Sequence, residues 1–293
     1  MPAKTFYAVL AVAVTLGVTP WLLDGRAEDG DPPWTPAPSG WRTDAAWYDG
    51  QAEKCVYEAT RTIYGTERRY LATAYTNKQR MDPQTTTKAE GDRGVEVFKH
   101  HWSEQVPTEK YDYDFSTATF SRTDDLALFK LTAATQEDCG ASFKHLWRDG
   151  GDLRWYESVY FPGAGMREGS LSAGSVHAED ELALVLRDFP FSEGGERELV
   201  LLPSQKSTKR VPFEAGARRV RLKGRETLEL PAGRIDAYRL DLLEERGSGV
   251  AASYWFAADG SAPLLHALVQ YEGPGGVSYR LRSHERTAYW LRD

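Results

Sequence analysis

Two cysteines, six histidines and several adjacent carboxylates are the side chains of this 293-residue sequence that could carry chemistry. Cys55 and Cys139 allow three readings. In an oxidising compartment they could form one disulfide, closing a loop of about 85 residues and adding on the order of 4 kcal/mol in the chain-entropy model. They could instead be buried free thiols, or Cys139, next to Gly140 and near His145 in sequence, could be a reactive thiol. Among the histidines, His100 and His101 are adjacent, so on a strand they point to opposite faces and cannot hold one metal together. Single hydrogen-bonded or surface histidines are the expectation for all six.

Asp112/Asp114, Asp124/Asp125 and Glu244/Glu245 are paired carboxylates. Asp112 and Asp114 share a face but alternate with Tyr111, Tyr113 and Phe115, as a solvent-facing row does. The sequence contains no phosphate-binding G-x-x-x-x-G-K-[ST] loop, no H-E-x-x-H and no C-x-x-C. Ser170-Leu171-Ser172-Ala173-Gly174 misses the first glycine of G-x-S-x-G and lacks the strand–turn–helix setting of a nucleophile elbow. The residues name no catalytic group, metal site or cofactor.

The aromatic rows remain. Tyr111, Tyr113, Phe115, Trp155, Tyr254 and Phe256 form the candidate ligand-binding set, with Tyr238, Tyr271 and Tyr279 in similar positions. They could line the concave side of a curved sheet, because barrel-like folds with an unfilled interior hold apolar ligands. The plainer expectation is core packing against a helix.

The elements that must position them are strands. Ala217–Lys223, Arg234–Leu243, Ala251–Ala257, Leu264–Tyr271 and Val277–Arg286 are separated by short Gly-, Pro- and Ser-bearing turns, the pattern of an up-and-down antiparallel meander. Pro231-Ala232-Gly233 is one such turn, and Gly233 is expected at positive φ. Lys54–Arg61, Arg69–Asn77, Gly94–Trp102, Tyr111–Phe115, Leu126–Ala133, Ser142–Arg148 and Leu153–Phe161 continue the strand pattern upstream. Met81–Arg93 and Phe161–Gly174 read as loops, and Leu199–Pro203 and Lys209–Phe213 as strands. Ala178–Arg187 reads as the single helix, with Glu179, Asp180 and Glu181 in its first turn and an apolar stripe of Leu182, Val185 and Leu186. The predicted fold class is mainly β: a large curved antiparallel sheet, half-barrel or clam-like, around one short helix.

The first 27 residues read as a signal peptide: Lys4, the apolar run Phe6–Val18, then Gly25-Arg26-Ala27 as a cleavage site. The alternative is a retained anchor. Residues 28–40 are a Pro-rich linker, and residues 41–293 a single β-rich domain. Removing Lys4, Arg26 and Asp24, net +1, from the chain's −7 leaves −8. A net-acidic chain carries no overall footprint for nucleic acid. No second apolar run approaches membrane-spanning length, so the chain is not expected to be integral to a membrane after cleavage. The expected location is extracytoplasmic, periplasmic or secreted.

The run Pro231-Ala232-Gly233-Arg234-Ile235-Asp236-Ala237-Tyr238-Arg239, with Tyr254-Trp255-Phe256-Ala257 and Pro263-Leu264-Leu265, resembles bacterial exported proteins classed as a domain of unknown function. Trp47-Tyr48-Asp49-Gly50-Gln51-Ala52-Glu53, Tyr64-Gly65 and Asp138-Cys139-Gly140 resemble a related group, some of whose members carry a Maf-type septum-inhibitor label. Nothing in the chain looks like that enzyme's nucleotide-binding core. The resemblance spans most of Trp47–Tyr279 and rests on turns and core aromatics. It implies an extracytoplasmic β-rich protein, built like the half-barrel clams of outer-membrane lipoprotein carriers, and no catalytic residues. The related group carries the Cys-Gly pair without a partner at the Cys55 position. The expected function is binding of an apolar ligand such as a lipid in the cell envelope; the alternative is a structural or protein-interaction module, and after it a hydrolase.

Overall fold

The structure is a computed structural model that describes residues 33–36, 40–259 and 264–291. The predicted signal peptide and most of the predicted linker lie outside the described residues. Within that linker, the Trp34 N–H donates to the Glu198 carbonyl at 2.6 Å and its ring meets Phe189.

Among the described residues, fifteen strands form one continuous sheet. The first meander is β1 (Ala52–Ile63), β2 (Thr66–Met81), β3 (Val95–Val106), β4 (Tyr113–Arg122), β5 (Leu128–Glu137), β6 (Gly140–Asp149), β7 (Asp152–Val159) and β8 (Gly165–Ser172). The second is β9 (Val176–Ala178), β10 (Glu196–Leu202), β11 (Gly216–Leu230), β12 (Gly233–Leu243), β13 (Val250–Ala257), β14 (Leu268–Gly273) and β15 (Val277–Thr287). The order across the sheet is β8 to β1, then β15 back to β9, so the first and last strands join the two meanders at its centre. Every pairing is antiparallel except β9 with β10. The sheet stays open between β8 and β9, but its ends meet by packing. Leu131, Leu146 and Leu153 share one buried cluster with Val176, Leu202 and Phe213, so the apolar faces cover each other without strand pairing.

The strands alternate because one face is buried. Along β1, Glu53, Cys55, Tyr57 and Ala59 are all buried, and along β3 so are Phe98, His100, Trp102 and Glu104. The inward row therefore includes charged residues, and each must find a partner inside. The end at which β1 finishes is here called the upper end.

The helical segment consists of 3-10 turns Glu179–Glu181 and Leu186–Asp188 around α1 (Leu182–Val185). It begins at the upper end, where β9 finishes, and reaches the lower end, where Arg187 meets Glu53 at the start of β1. Leu182, Val185 and Leu186 are fully buried, so the expected stripe faces the core. Trp41 and Trp47 close the lower end against Phe98 at 5.0 and 5.1 Å. The β11–β12 hairpin tip also packs there: the Ala232 N–H donates to Leu281 of β15 at 3.0 Å.

Several expectations are corrected. Gly165–Ser172 is an edge strand, not a loop, although none of its residues is buried. Lys209–Phe213 is irregular rather than a strand; Lys209, Arg210 and Pro212 are exposed, and Phe213 is buried and stacked on Trp155 at 4.5 Å. The strand expected to start at Leu264 starts at Leu268. Cys55 and Cys139 are separate free thiols, one buried and one exposed. Cys55 faces inward low on β1. Cys139 lies in the upper turn between β5 and β6. Four strand spacings of about 4.8 Å separate β1 from β5 in the sheet, well beyond disulfide reach.

Candidate functional site

The interior is not filled at its upper end. A cavity of about 550 Å³ lies there, lined by residues of both meanders and of the helical segment. Strand register places these residues in levels. The top level holds Arg61 near the end of β1, Val277 at the start of β15, Ala252 near the start of β13 and Leu242 near the end of β12. Below it, Tyr254, Tyr271 and Tyr279 are direct cross-strand neighbours on β13, β14 and β15, with ring centroids 4.9 and 5.4 Å apart. This tyrosine belt forms one wall. Trp102, Leu268, Ala183 and His100 lie deeper. Tyr57, behind the lining, stacks on Trp102 at 5.0 Å, with its hydroxyl donating to the Leu268 carbonyl at 2.9 Å.

Glu104 is the electrostatic centre of one side. Its side chain has no solvent exposure. Oε1 accepts from Trp102 Nε1 and the Tyr279 hydroxyl, both at 2.7 Å, and from Lys206 Nζ. Oε2 accepts from the Tyr70 hydroxyl at 2.8 Å and from Arg61 at 3.1 Å. Burial pushes this carboxyl up, but Lys206 and Arg61 outweigh it and hold it at about 2. Lys206 comes from the irregular segment after β10 and also donates to the Tyr279 hydroxyl at 2.9 Å. One carboxylate thus holds two cations. Arg61 Nε has no hydrogen-bond partner among the described residues.

The opposite side is acidic. Glu179 pairs with Arg218 at 3.0 Å. Asp180 accepts from Ser204 Oγ at 2.6 Å and from the Gln205 N–H at 2.7 Å, and has no ion pair among the described residues. Burial raises its pKa; these two hydrogen bonds, then Lys206 and Lys144, oppose it. Lys144 does not line the cavity; its ammonium donates to the Gln205 and Lys209 carbonyls at 3.1 and 2.7 Å.

His100, 4% exposed, is the titratable group on the floor. Its Nδ1 lies 2.9 Å from Thr76 Oγ1, while Nε2 is unpartnered among the described residues. Burial, and then the charge of Arg187, push its pKa down to about 3, so the ring is neutral at ordinary pH.

At the lower end, Glu53, Cys55 and His284 bring possible ligand atoms within 4.8 Å of one another. This donor set does not fit a metal ion. Arg187 forks onto both Glu53 oxygens, at 2.6 and 3.2 Å, and all of it is buried. A cation there would face a buried guanidinium. The Cys55 thiol is pushed up by burial and then by Glu53, which disfavours the thiolate a metal needs.

Of the six aromatic residues expected to bind ligand, Tyr254 lines the cavity. Phe256 lies lower in the core, 6.5 Å from Phe191. Tyr111, Tyr113 and Phe115 pack together near the top of β4, with Arg61 stacked 4.4 Å over the Phe115 ring. Trp155 belongs to the packing where the sheet ends meet. Cys139 meets the Tyr111 hydroxyl at 3.4 Å. His145 lies five residues down β6, roughly 17 Å along an extended strand, and its ring packs on Trp147. Arg61, Glu104, Asp180 and Lys206 carried no sequence signal individually. The one clue was charge at inward positions of alternating strands, Glu104 above all.

No family model matches this chain, and no curated protein does. Among solved structures, the chain is similar to a β-barrel-like protein of a domain of unknown function, DUF1849, from Brucella abortus. The TM-score is 0.50 at 8% identity, over 81% of this chain and 98% of that one. At that identity the likeness concerns the fold alone: a barrel-like sheet.

Proposed function

We propose that this protein is an exported binder of the cell envelope that holds a small amphipathic, lipid-like molecule in the upper cavity and performs no chemistry on it. The observation that carries this reading is the cavity's layered lining, with charged residues at the top, tyrosines in the middle and a mostly apolar floor. A volume of about 550 Å³ suits a drug-sized ligand or a short segment of a longer one. A bare hydrocarbon would strip water from Asp180, which has no ion pair among the described residues, and from Arg61, whose Nε has no hydrogen-bond partner among them, and would offer neither a polar contact in return, which is costly. The expected apolar ligand is therefore refined to one with a polar head. The apolar leader, Phe6–Val18, supports the envelope location.

The test is mass spectrometry of an organic extract of protein purified without detergent. An amphiphile that leaves on extraction and rebinds is expected. No co-purifying molecule, together with no binding of any added amphiphile, would contradict the proposal.

A second reading, an interaction module, draws on β8. It is an edge strand with one neighbour, and Met166 on it is 74% exposed. Such an edge can add a strand from a partner. A pull-down from envelope extract that loses its partner when Gly169 is replaced by proline would favour it.

A further inference from the structure

The cavity has two unequal poles, and together they name the polar head it suits. At the first, Arg61 and Lys206 share the single carboxylate Glu104, leaving one positive charge in excess. At the second, Asp180 has hydrogen bonds but no ion pair among the described residues, leaving one negative charge. The pair Arg218–Glu179 is neutral in itself. Tyr271 stands between the poles. Burial raises its hydroxyl pKa; Lys206 and Arg61 then pull it down, while Glu179 and Asp180 push it up. Tyr254 sits beside it, within reach of the same two acids. An acid beside tyrosine rings suits an organic cation, held by the charge and by the ring faces. An arginine and a lysine with donors to spare suit an oxyanion.

We infer that the upper cavity recognises a zwitterionic head group, its anionic centre toward Arg61 and Lys206 and its cationic centre toward Asp180, Tyr254 and Tyr271. This rests on the binding role proposed above. A purely anionic amphiphile would satisfy the first pole and repel Asp180. A purely cationic one would do the reverse. A zwitterion answers both without displacing Glu104.

The experiment is a titration, followed by tryptophan fluorescence and calorimetry, with lysophosphatidylcholine and with lysophosphatidate of the same chain. The expected result is at least tenfold tighter binding of the zwitterion. Asp180→Asn should bring the two affinities together, by weakening the zwitterion and relieving the repulsion of lysophosphatidate, whereas Lys206→Gln should weaken both. Should Asp180→Asn fail to fold, since Asp180 anchors Ser204 and Gln205, Tyr271→Leu serves instead and should weaken the choline-bearing ligand selectively. A chain-free arm, glycerophosphocholine, separates the sources. Equal affinity would keep the zwitterion and assign it to a soluble molecule, while much weaker binding would assign it to a lipid. Equal or tighter binding of lysophosphatidate, or a folded Asp180→Asn that keeps the preference, overturns the inference but leaves amphiphile binding intact. Binding of neither lysolipid overturns both.

Discussion

Arg187 forks onto Glu53, its Nη2 lying 2.6 Å from Oε1 and its Nη1 3.2 Å from Oε2, across 134 residues of chain. The pair ties the last turn of the helical segment to the first strand and is fully enclosed. Burial pushes the Glu53 carboxyl up, but Arg187 and His284 prevail and hold it at about 2. Removing one partner leaves the other charge buried alone. Arg187→Met or Glu53→Gln should therefore cost about 3–5 kcal/mol, read from denaturant midpoints. The double variant Glu53→Leu/Arg187→Met should recover most of that loss. A single variant with the wild-type midpoint would show that the clip contributes nothing.

Stability should fall steeply in acid. Glu104 titrates near 4.5 when unfolded and near 2 when folded, so the unfolded chain binds the extra proton between those values. Its contribution is complete above 4.5 and is lost as pH falls toward 2. His100 acts in the same direction between 6.5 and 3, because it is held neutral inside while the unfolded chain protonates. Urea midpoints should thus decline from pH 6.5 downward. Glu104→Gln should flatten the part below 4.5 while lowering stability at neutral pH, since Arg61 and Lys206 lose their shared partner. An unchanged slope in that variant would contradict the assignment.

The two thiols should differ sharply. Without reductant, the native protein should react with one equivalent of a thiol reagent, at exposed Cys139, and the unfolded protein with two. No reactive thiol in the unfolded chain would mean that the cysteines are joined after all.

Gly233 has φ of +110° in the turn after Leu230, and no atom of the described residues lies within 4 Å of where its Cβ would be. Gly233→Val should destabilise by about 1–3 kcal/mol through backbone strain alone. The hairpin tip it shapes packs on β15, so faster exchange of the Ala232 amide should accompany the loss. A valine variant with unchanged stability and exchange would refute the strain.

The meander was legible because its turns are written in glycine and proline and its strands alternate. Gly233 and the five C-terminal strands follow from that. The strand expected to end at Lys223 runs on to Leu230, because the backbone passes Gly224 in a bulge with φ of +131°. A lone glycine followed by charged residues looks like a terminus when it is only a kink. β8 was invisible for a different reason. As an edge strand with no buried side chain, it carries no apolar period. The site was the least legible part. The sequence marked aromatic rows, yet which rows face the cavity depends on where the helical segment enters. That segment fills the lower interior, so Phe256 became core while Tyr254, two residues away on the same face, lines the cavity. Glu104 and Lys206, 102 residues apart, meet only because the segment after β10 turns inward.

The central claim, that a ligand occupies the upper cavity, is tested most directly at Ala252. This residue is 5% exposed and lines the cavity wall. Ala252→Trp would place an indole in the open volume without touching Glu104, Asp180 or the tyrosine belt in sequence. Affinity for lysophosphatidylcholine, measured by calorimetry on wild type and variant side by side, should drop at least tenfold while the circular dichroism spectrum stays that of the folded sheet. Undiminished affinity in a folded Ala252→Trp protein would place the ligand elsewhere and contradict the account.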